Sequence, residues 1–212
     1  MTGHVHAVIG DLVGSRRLPD RAAAHRALTS ALDEVNEALQ PTHPFAVTTG
    51  DEYQGACLRL SDAVLAALLV RLTVLPVVDV RCGIGHGETT VYDAERLPMV
   101  QDGPAWWSAR EAIDVLGGHR DARRTWFVGE GAGRVNAFLL CRDQVVDRLN
   151  ARGVRILRRA LLGTPQKAIA ESEGVWPSAV SQQFSRGVGA VVDAQHLFAS
   201  EESPGQPRRS GG

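Results

Sequence analysis

A mixed α/β (α+β) sandwich of the ferredoxin-like or palm type, followed by a small all-helical unit, is the fold this sequence predicts, and three observations carry it. Strand-like and helix-like stretches alternate through the first 150 residues around a central hairpin, the order from which such sandwiches are built. Strand signal stops at Val154. Two short helical stretches separated by one glycine then follow in the pattern of a helix-turn-helix. The expected organisation is a palm-like unit over 1–150, a helix-turn-helix unit over 151–199 and a tail over 200–212, polar and rich in Ser, Pro and Gly, that is expected to be disordered.

The elements follow in chain order. Val5 to Ile9 is an apolar strand that ends in Gly10-Asp11, and Gly14-Ser15 then turns the backbone so that N–H groups, with Arg16 and Arg17 close by, can cradle a phosphate chain. Pro19 to Leu39 places Ala22, Leu28, Ala31, Leu32, Val35 and Leu39 near helical spacing and stops before Pro41. Phe45, Val47 and Thr49 alternate with smaller residues, and strand character resumes from Tyr53 to Leu60, so Gly50-Asp51 falls at a hairpin tip. Ser61 is expected to cap a helix whose apolar face is Val64, Leu65, Leu68, Leu69 and Leu72.

A strand from Pro76 to Ile84 continues into alternating glycines at 83, 85 and 87. Either a ligand or another backbone approaches them closely, or a bulged strand packs there against a helix. Asp102-Gly103-Pro104 opens a helix containing Trp106, Trp107 and Arg110. The tryptophans stack on a base, fill a dimer seam or pack in the core. A glycine-rich, basic loop over 117–124, a strand from Thr125 to Val128 and a helix from Glu130 to Asn150 close the first unit.

A chain of 212 residues suffices for one substantial core with a small module beside it. The net charge of −1 gives no global attraction to nucleic acid or an anionic membrane, so such binding must come from a local patch. No early run has signal-peptide form, and the apolar stretch from Ala63 to Val70 is far too short for a membrane span. A soluble, cytoplasmic protein without membrane contact is expected. Cys57, Cys82 and Cys141 form no C-x-x-C pair and read as buried, reduced core residues. His4 and His6 share a face of the first strand and read as a solvated strand start rather than metal ligands.

Two Gly-Asp pairs carry the chemistry. Asp11 and Asp51 on neighbouring strands suit Mg²⁺, which takes one or two carboxylates plus substrate phosphates. Each pair also reads as a plain turn with Asp as its capping residue. In the C-terminal unit Thr164 is the expected N-cap, Pro165 the first helical residue and Gly174 the terminator. A second helix then runs from Pro177 to Arg186 with Val180 and Phe184 inward. Gln166, Lys167, Ser178, Ser181, Gln182 and Arg186 remain outward to meet DNA bases and phosphates, with Arg148, Arg152, Arg155, Arg158 and Arg159 upstream as further phosphate contacts or a solvated face.

The run Ile9-Gly10-Asp11 with Ser15-Arg16, Thr49 to Gly55, Arg81 to Gly87 and Asp102 to Ala105 with Ala109-Arg110 resembles the SatD family of bacterial proteins. A more distant resemblance is to class III nucleotide cyclases and GGDEF domains, whose palms share this element order. It implies Asp11 and Asp51 as metal and catalytic aspartates with Glu52 as a further metal ligand, and Arg110 as the arginine that steadies transition-state charge. It implies a nucleotide site made by Gly14, Ser15, Arg16, Gly50, Arg81, Gly85, Gly87 and Trp106, with Mg²⁺ as cofactor. Val47 stands where an adenylyl cyclase has its base-selecting lysine, Trp106 where the arginine's partner asparagine sits, and Thr49 at the first glycine of GGDEF. The leading expectation is a dimeric DNA-binding regulator whose degenerate palm senses a nucleotide or Mg²⁺. The alternatives are a Mg²⁺-dependent cyclase or nucleotidyltransferase, which makes a cyclic nucleotide or short oligonucleotide, and a scaffold that docks a protein.

Overall fold

The computed structural model describes residues 2–118 and 123–202. In chain order the elements are β1 (Thr2–Leu12), α1 (Arg21–Leu39), β2 (His43–Val47), β3 (Glu52–Cys57), α2 (Leu60–Val74), β4 (Val80–Asp93), β5 (Val100–Asp102), α3 (Pro104–Gly118), β6 (Thr125–Val128), α4 (Ala132–Asp147), α5 (Ala151–Leu161), α6 (Gln166–Glu173), α7 (Pro177–Gln183) and α8 (Gly189–Glu201). The strands form one mixed sheet of order β2-β3-β1-β4-β5. β1 is antiparallel to both β3 and β4, while β6 runs parallel to the first part of β4 and β5 antiparallel to its last part. This is the split β-α-β arrangement expected of the first unit.

Strand alternation assigns the two faces of the sheet. Val8 and Leu12 of β1 lie in the larger core with α1 and α2, whereas Val5, Ala7 and Ile9 pack against Ala105, Trp106, Ala109 and Ile113 of α3. Asp11 continues the second row and leaves the sheet on the α3 side. Beneath it the Tyr53 ring crosses Gly10 so closely that a Cβ there would lie 2.3 Å from Cζ. The Tyr53 hydroxyl and Cys82 Sγ are 2.7 Å apart in the core, and burial pushes the Cys82 thiol up to about 12.

Several local expectations shift. Asp20 caps α1, its carboxylate accepting from the Ala23 amide at 2.8 Å, and Ala24 rather than Ala22 is buried. Pro165 itself is the N-cap of α6, one residue later than the threonine cap implied. β3 stops at Cys57, and Cys141 is exposed. α3 runs to Gly118, into the start of the expected 117–124 loop, whose residues 119–122 lie outside the described ones. Most of the 200–212 tail is also outside them, though α8 extends to Glu201.

Ser61 does not cap α2. It lies inside the helix, and the Glu202 carboxylate accepts from the Leu60 and Ser61 amides at 3.1 and 2.7 Å. The Ser-rich composition of the tail concealed this, because the cap arrives from 141 positions away. α8 is fastened further by Gln195 to the Ser61 carbonyl, Arg59 to the Ala199 carbonyl and a Phe138–Phe198 ring stack at 5.0 Å.

The C-terminal helices share a core with the sheet unit: Leu68 and Leu72 of α2 and Val146 of α4 pack with Ile156, Leu157, Ile169, Val180 and Val188. One turn away, Arg71 is 2% exposed and forks onto Asp79 at 2.8 and 3.0 Å while also donating to Asp147 at the end of α4. Asp79 receives Arg124 as well, at 2.6 Å. No helix among the described residues is long and apolar enough to cross a membrane.

Candidate functional site

Three adjacent strands bring charges into one row. In register, Asp11 of β1 faces Glu52 of β3 on one side and Arg81 of β4 on the other. Arg81 donates through Nε and Nη2 to the two Asp11 oxygens at 3.0 and 2.8 Å. Arg110 reaches over from α3 and grips Glu52 in the same bidentate manner, at 2.7 and 2.8 Å. Beyond the last ladder pair, Thr49, Gly50 and Asp51 make the hairpin tip, with Gly50 at φ +66°. The residue opposite Asp11 is therefore Glu52, and Asp51 stands one step further out.

The row opens into a cleft of about 510 Å³ lined by Asp11, Leu12, Gly14, Ser15, Arg17, Asp51 and Arg81. A second cleft of about 310 Å³, between α1 and the hairpin tip, shares Leu12, Ser15 and Asp51 and adds Arg21, His25 and Gly50. Gly14, at φ +69°, sends the chain into a single turn of 3₁₀ helix over Ser15–Arg17, a left-handed conformation that glycine adopts without steric cost. Each cleft is of the size that small ligands occupy, and together they offer carboxylates, guanidiniums and a hydroxyl.

Burial raises the Asp11 pKa, and although the hydrogen bonds and charge of Arg81 lower it, Asp51 and Glu52 add to the rise. Arg110 is held above its ordinary value first by its bonds to Glu52. Among the described residues no group of three or more His, Cys, Asp or Glu side chains is placed to hold a metal, and two of the three carboxylates are already matched by arginines. This donor set fits Mg²⁺ only in the form where one or two carboxylates hold it and a ligand's phosphates complete the shell.

Of the expected nucleotide residues, Gly14, Ser15, Gly50 and Arg81 converge on these clefts. Arg16 continues the turn, and its side chain lies outside the described ones. Three assignments are corrected. A Cβ at Gly85 would lie 2.1 Å from the Ala109 amide nitrogen, and one at Gly87 would lie 2.9 Å from that of Ala105, so the backbone approaching these glycines is that of α3. Trp106 is 6% exposed beside the same helix and donates its Nε1–H to Thr89 at 2.9 Å, leaving no face for a base. Arg17, Arg21 and His25 also line the clefts, and of these only Arg17 is named from the sequence. Arg21 and His25 face the cleft only because α1 folds back over the hairpin, which no local signal reports.

A second surface lies at the other end of the chain. α6 and α7 meet at Gly174, a left-handed C-cap, and Val175 N–H closes the turn onto the Ala170 carbonyl at 3.0 Å. Ile169, Ala170 and Val180 are buried beneath, while Gln166, Lys167, Ser178, Ser181, Gln182 and Arg186 are all exposed. α7 ends at Gln183, before a kink at Gly187. Three upstream arginines are already ion-paired. Arg155 and Arg159 lie against Glu173 at 2.7 and 3.7 Å, and Arg158 against Glu34 at 2.6 Å.

A model of the SatD family matches residues 5–127, a span that contains the cleft and stops before α4. No curated protein matches the chain. Among solved structures it is similar to a bacterial light-regulated adenylyl cyclase, at 14% identity and TM-score 0.47 over 65% of this chain and 81% of the other. It is also similar to the guanylate cyclase domain of RhGC from Catenaria anguillulae in complex with GTP, at 17% identity and TM-score 0.45 over 54% and 74%. A regulator of polyketide synthase expression from Bifidobacterium adolescentis aligns over 95% of this chain and 87% of its own, at 13% identity and TM-score 0.30.

Proposed function

The chain belongs to the SatD family, and from helices that lie beyond the span matched by that family we propose that it is a DNA-binding regulator: α6 and α7 act as a helix-turn-helix, and the Asp11–Asp51 cleft is a ligand-sensing site. The observation that carries this reading is the division of the α6–α7 pair. Its apolar residues are buried against α5 and α8, and every hydrogen-bonding residue expected to meet DNA is exposed. Gln and Ser side chains bond base edges, while Lys167 and Arg186 supply charge for phosphates. A homodimer would present two such helices to a two-fold operator.

The sensing site takes a nucleotide. Ser15, Arg17 and Arg81 address its phosphates, and Asp11 and Asp51 hold any Mg²⁺ that arrives with it. The metal would supply charge neutralisation of the phosphates.

The test begins with duplex DNA retained by wild-type protein from a pool of genomic fragments. Gln182→Ala should weaken specific binding by about tenfold or more, since one good base contact is worth about 1–3 kcal/mol, and Arg186→Ala should weaken binding to all duplexes alike and reduce its salt dependence. Unchanged affinity in both variants sinks the reading. A second reading, two-metal nucleotidyl transfer, is favoured by the convergence of Asp11 and Asp51 on one cleft. Pyrophosphate release from an NTP with Mg²⁺ or Mn²⁺ that vanishes in Asp51→Asn would establish it.

A further inference from the structure

Trp176 has 81% of its surface exposed, more than any other large apolar side chain among the described residues. It sits at the turn between α6 and α7, where its position is fixed. Its backbone is extended (φ −69°, ψ 147°), Pro177 follows as the first helical residue, and its carbonyl accepts the Ala179 amide at 2.9 Å. On its other side Val175 is tied back to Ala170 at 3.0 Å and packs into the C-terminal core. The indole thus projects into solvent from a fixed backbone position beside the face that carries Ser178, Ser181 and Gln182.

We propose that Trp176 is a specificity-determining residue that contacts the C5-methyl group of a thymine in the major groove, so that the preferred half-site contains a thymine beneath it and an A·T pair beneath Gln182. This inference rests on the DNA-binding reading. The chemistry of the neighbours selects duplex DNA as the partner. A protein-docking patch has an apolar centre and a polar rim, whereas this face has a single indole beside small hydroxyls, the amides of Gln166 and Gln182, and the cations Lys167 and Arg186 at its ends, with Glu171 the exposed carboxylate beside Lys167. The arrangement matches the major-groove edge of an A·T pair, where the thymine methyl is the one apolar group among hydrogen-bonding positions and the adenine edge takes a bidentate amide. Serines at 178 and 181 are small enough to let the helix approach closely. Arg155 and Arg159 neutralise Glu173 at the end of α6, which removes one negative charge from the approach to phosphate.

The full chain is used to select binders from a random-sequence duplex pool, and each thymine of the selected site is then replaced by uracil, which deletes only the methyl group. At one position the replacement should weaken wild-type binding roughly tenfold, the discrimination that one methyl-sized apolar contact provides. The same replacement should leave Trp176→Ala unaffected, while the preference at the Gln182 position persists. A selected site at which uracil binds as well as thymine everywhere overturns the Trp176 assignment alone. Failure of the wild-type chain to select any duplex overturns the DNA-binding reading and this inference with it. Because the uracil comparison is made on wild-type protein, neither outcome depends on the folding of a variant.

Discussion

Asp11 and Asp79 are half-buried carboxylates gripped by arginine forks, yet their pKa values move in opposite directions. At Asp79 burial raises the pKa, but Arg71 and Arg124 together outweigh it and hold it below the ordinary value. Its contribution to stability is present at neutral pH and is lost as pH falls through that lowered value. At Asp11 one arginine does not offset burial and two neighbouring carboxylates, so the folded pKa stands above the ordinary 3.8. The folded state then holds the proton more tightly than the unfolded one, and stability falls as pH rises through the window from 3.8 to the raised value. A carboxylate kept at a stability cost in a cleft marks a candidate functional position. Asp11→Asn should therefore be at least as stable as wild type at pH 7 and show a flatter stability profile above about pH 4. Urea denaturation at several pH values reads this directly. A variant clearly less stable than wild type at pH 7 would mean that the Arg81 pair serves the fold instead.

At the scale of elements, α3 lies on β4 because three alternate residues there have no side chain. Cβ atoms built at Gly83 and Gly85 would both come within 2.4 Å of α3 backbone atoms, so Gly85→Ala forces the helix off the sheet. Overpacking of this kind costs about 1–3 kcal/mol, which should appear as a lowered urea midpoint. A change below about 0.5 kcal/mol, the size of ordinary surface substitutions, would show that α3 can move freely. The glycine run is legible in the sequence as a close approach, but nothing local says whose backbone approaches. The same division holds elsewhere. β1, the Gly14 turn, the hairpin tip and the Gly174 turn are each encoded within a dozen residues, and pattern alone locates them. The Arg81–Asp11 fork spans 70 positions, the Arg158–Glu34 pair 124 and the Glu202 cap 141 or more, and no periodicity reports such pairings. α8 escapes sequence reasoning because Gly187 and Gly189 interrupt the helical signal just where it begins.

On the scale of the whole molecule, the decisive feature is that among the described residues the cleft and the α6–α7 surface are joined through packed elements. Gly153, in the first turn of α5, is buried so tightly that a Cβ would lie 2.9 Å from Gln183 Oε1. α2 is held from both sides. It packs in the sheet core through Val64 and Val70, joins the C-terminal core through Leu68 and Leu72, and its first turn is capped by Glu202 from the end of α8. Arg158 of α5 grips Glu34 of α1, which also accepts from Thr73 of α2. Near the cleft, the Val13 amide donates to the Asp79 carbonyl at 2.8 Å, and the Asp79 side chain is held by Arg71, which also holds α4. A ligand that shifts the β1 exit would thus act on a body continuous with the proposed recognition helix, and coupling between the sites is a matter of differential affinity. Linkage makes it reciprocal: if a nucleotide with Mg²⁺ changes the affinity for the selected duplex by some factor, the duplex must change nucleotide affinity by the same factor. Fluorescence titrations in both directions should give equal factors, about 5–150-fold for typical allosteric pairs, and Asp11→Asn should bring both to one while leaving DNA affinity without nucleotide unchanged. Nucleotide binding that leaves DNA affinity untouched would separate the two sites and make the cleft an independent function of the same chain.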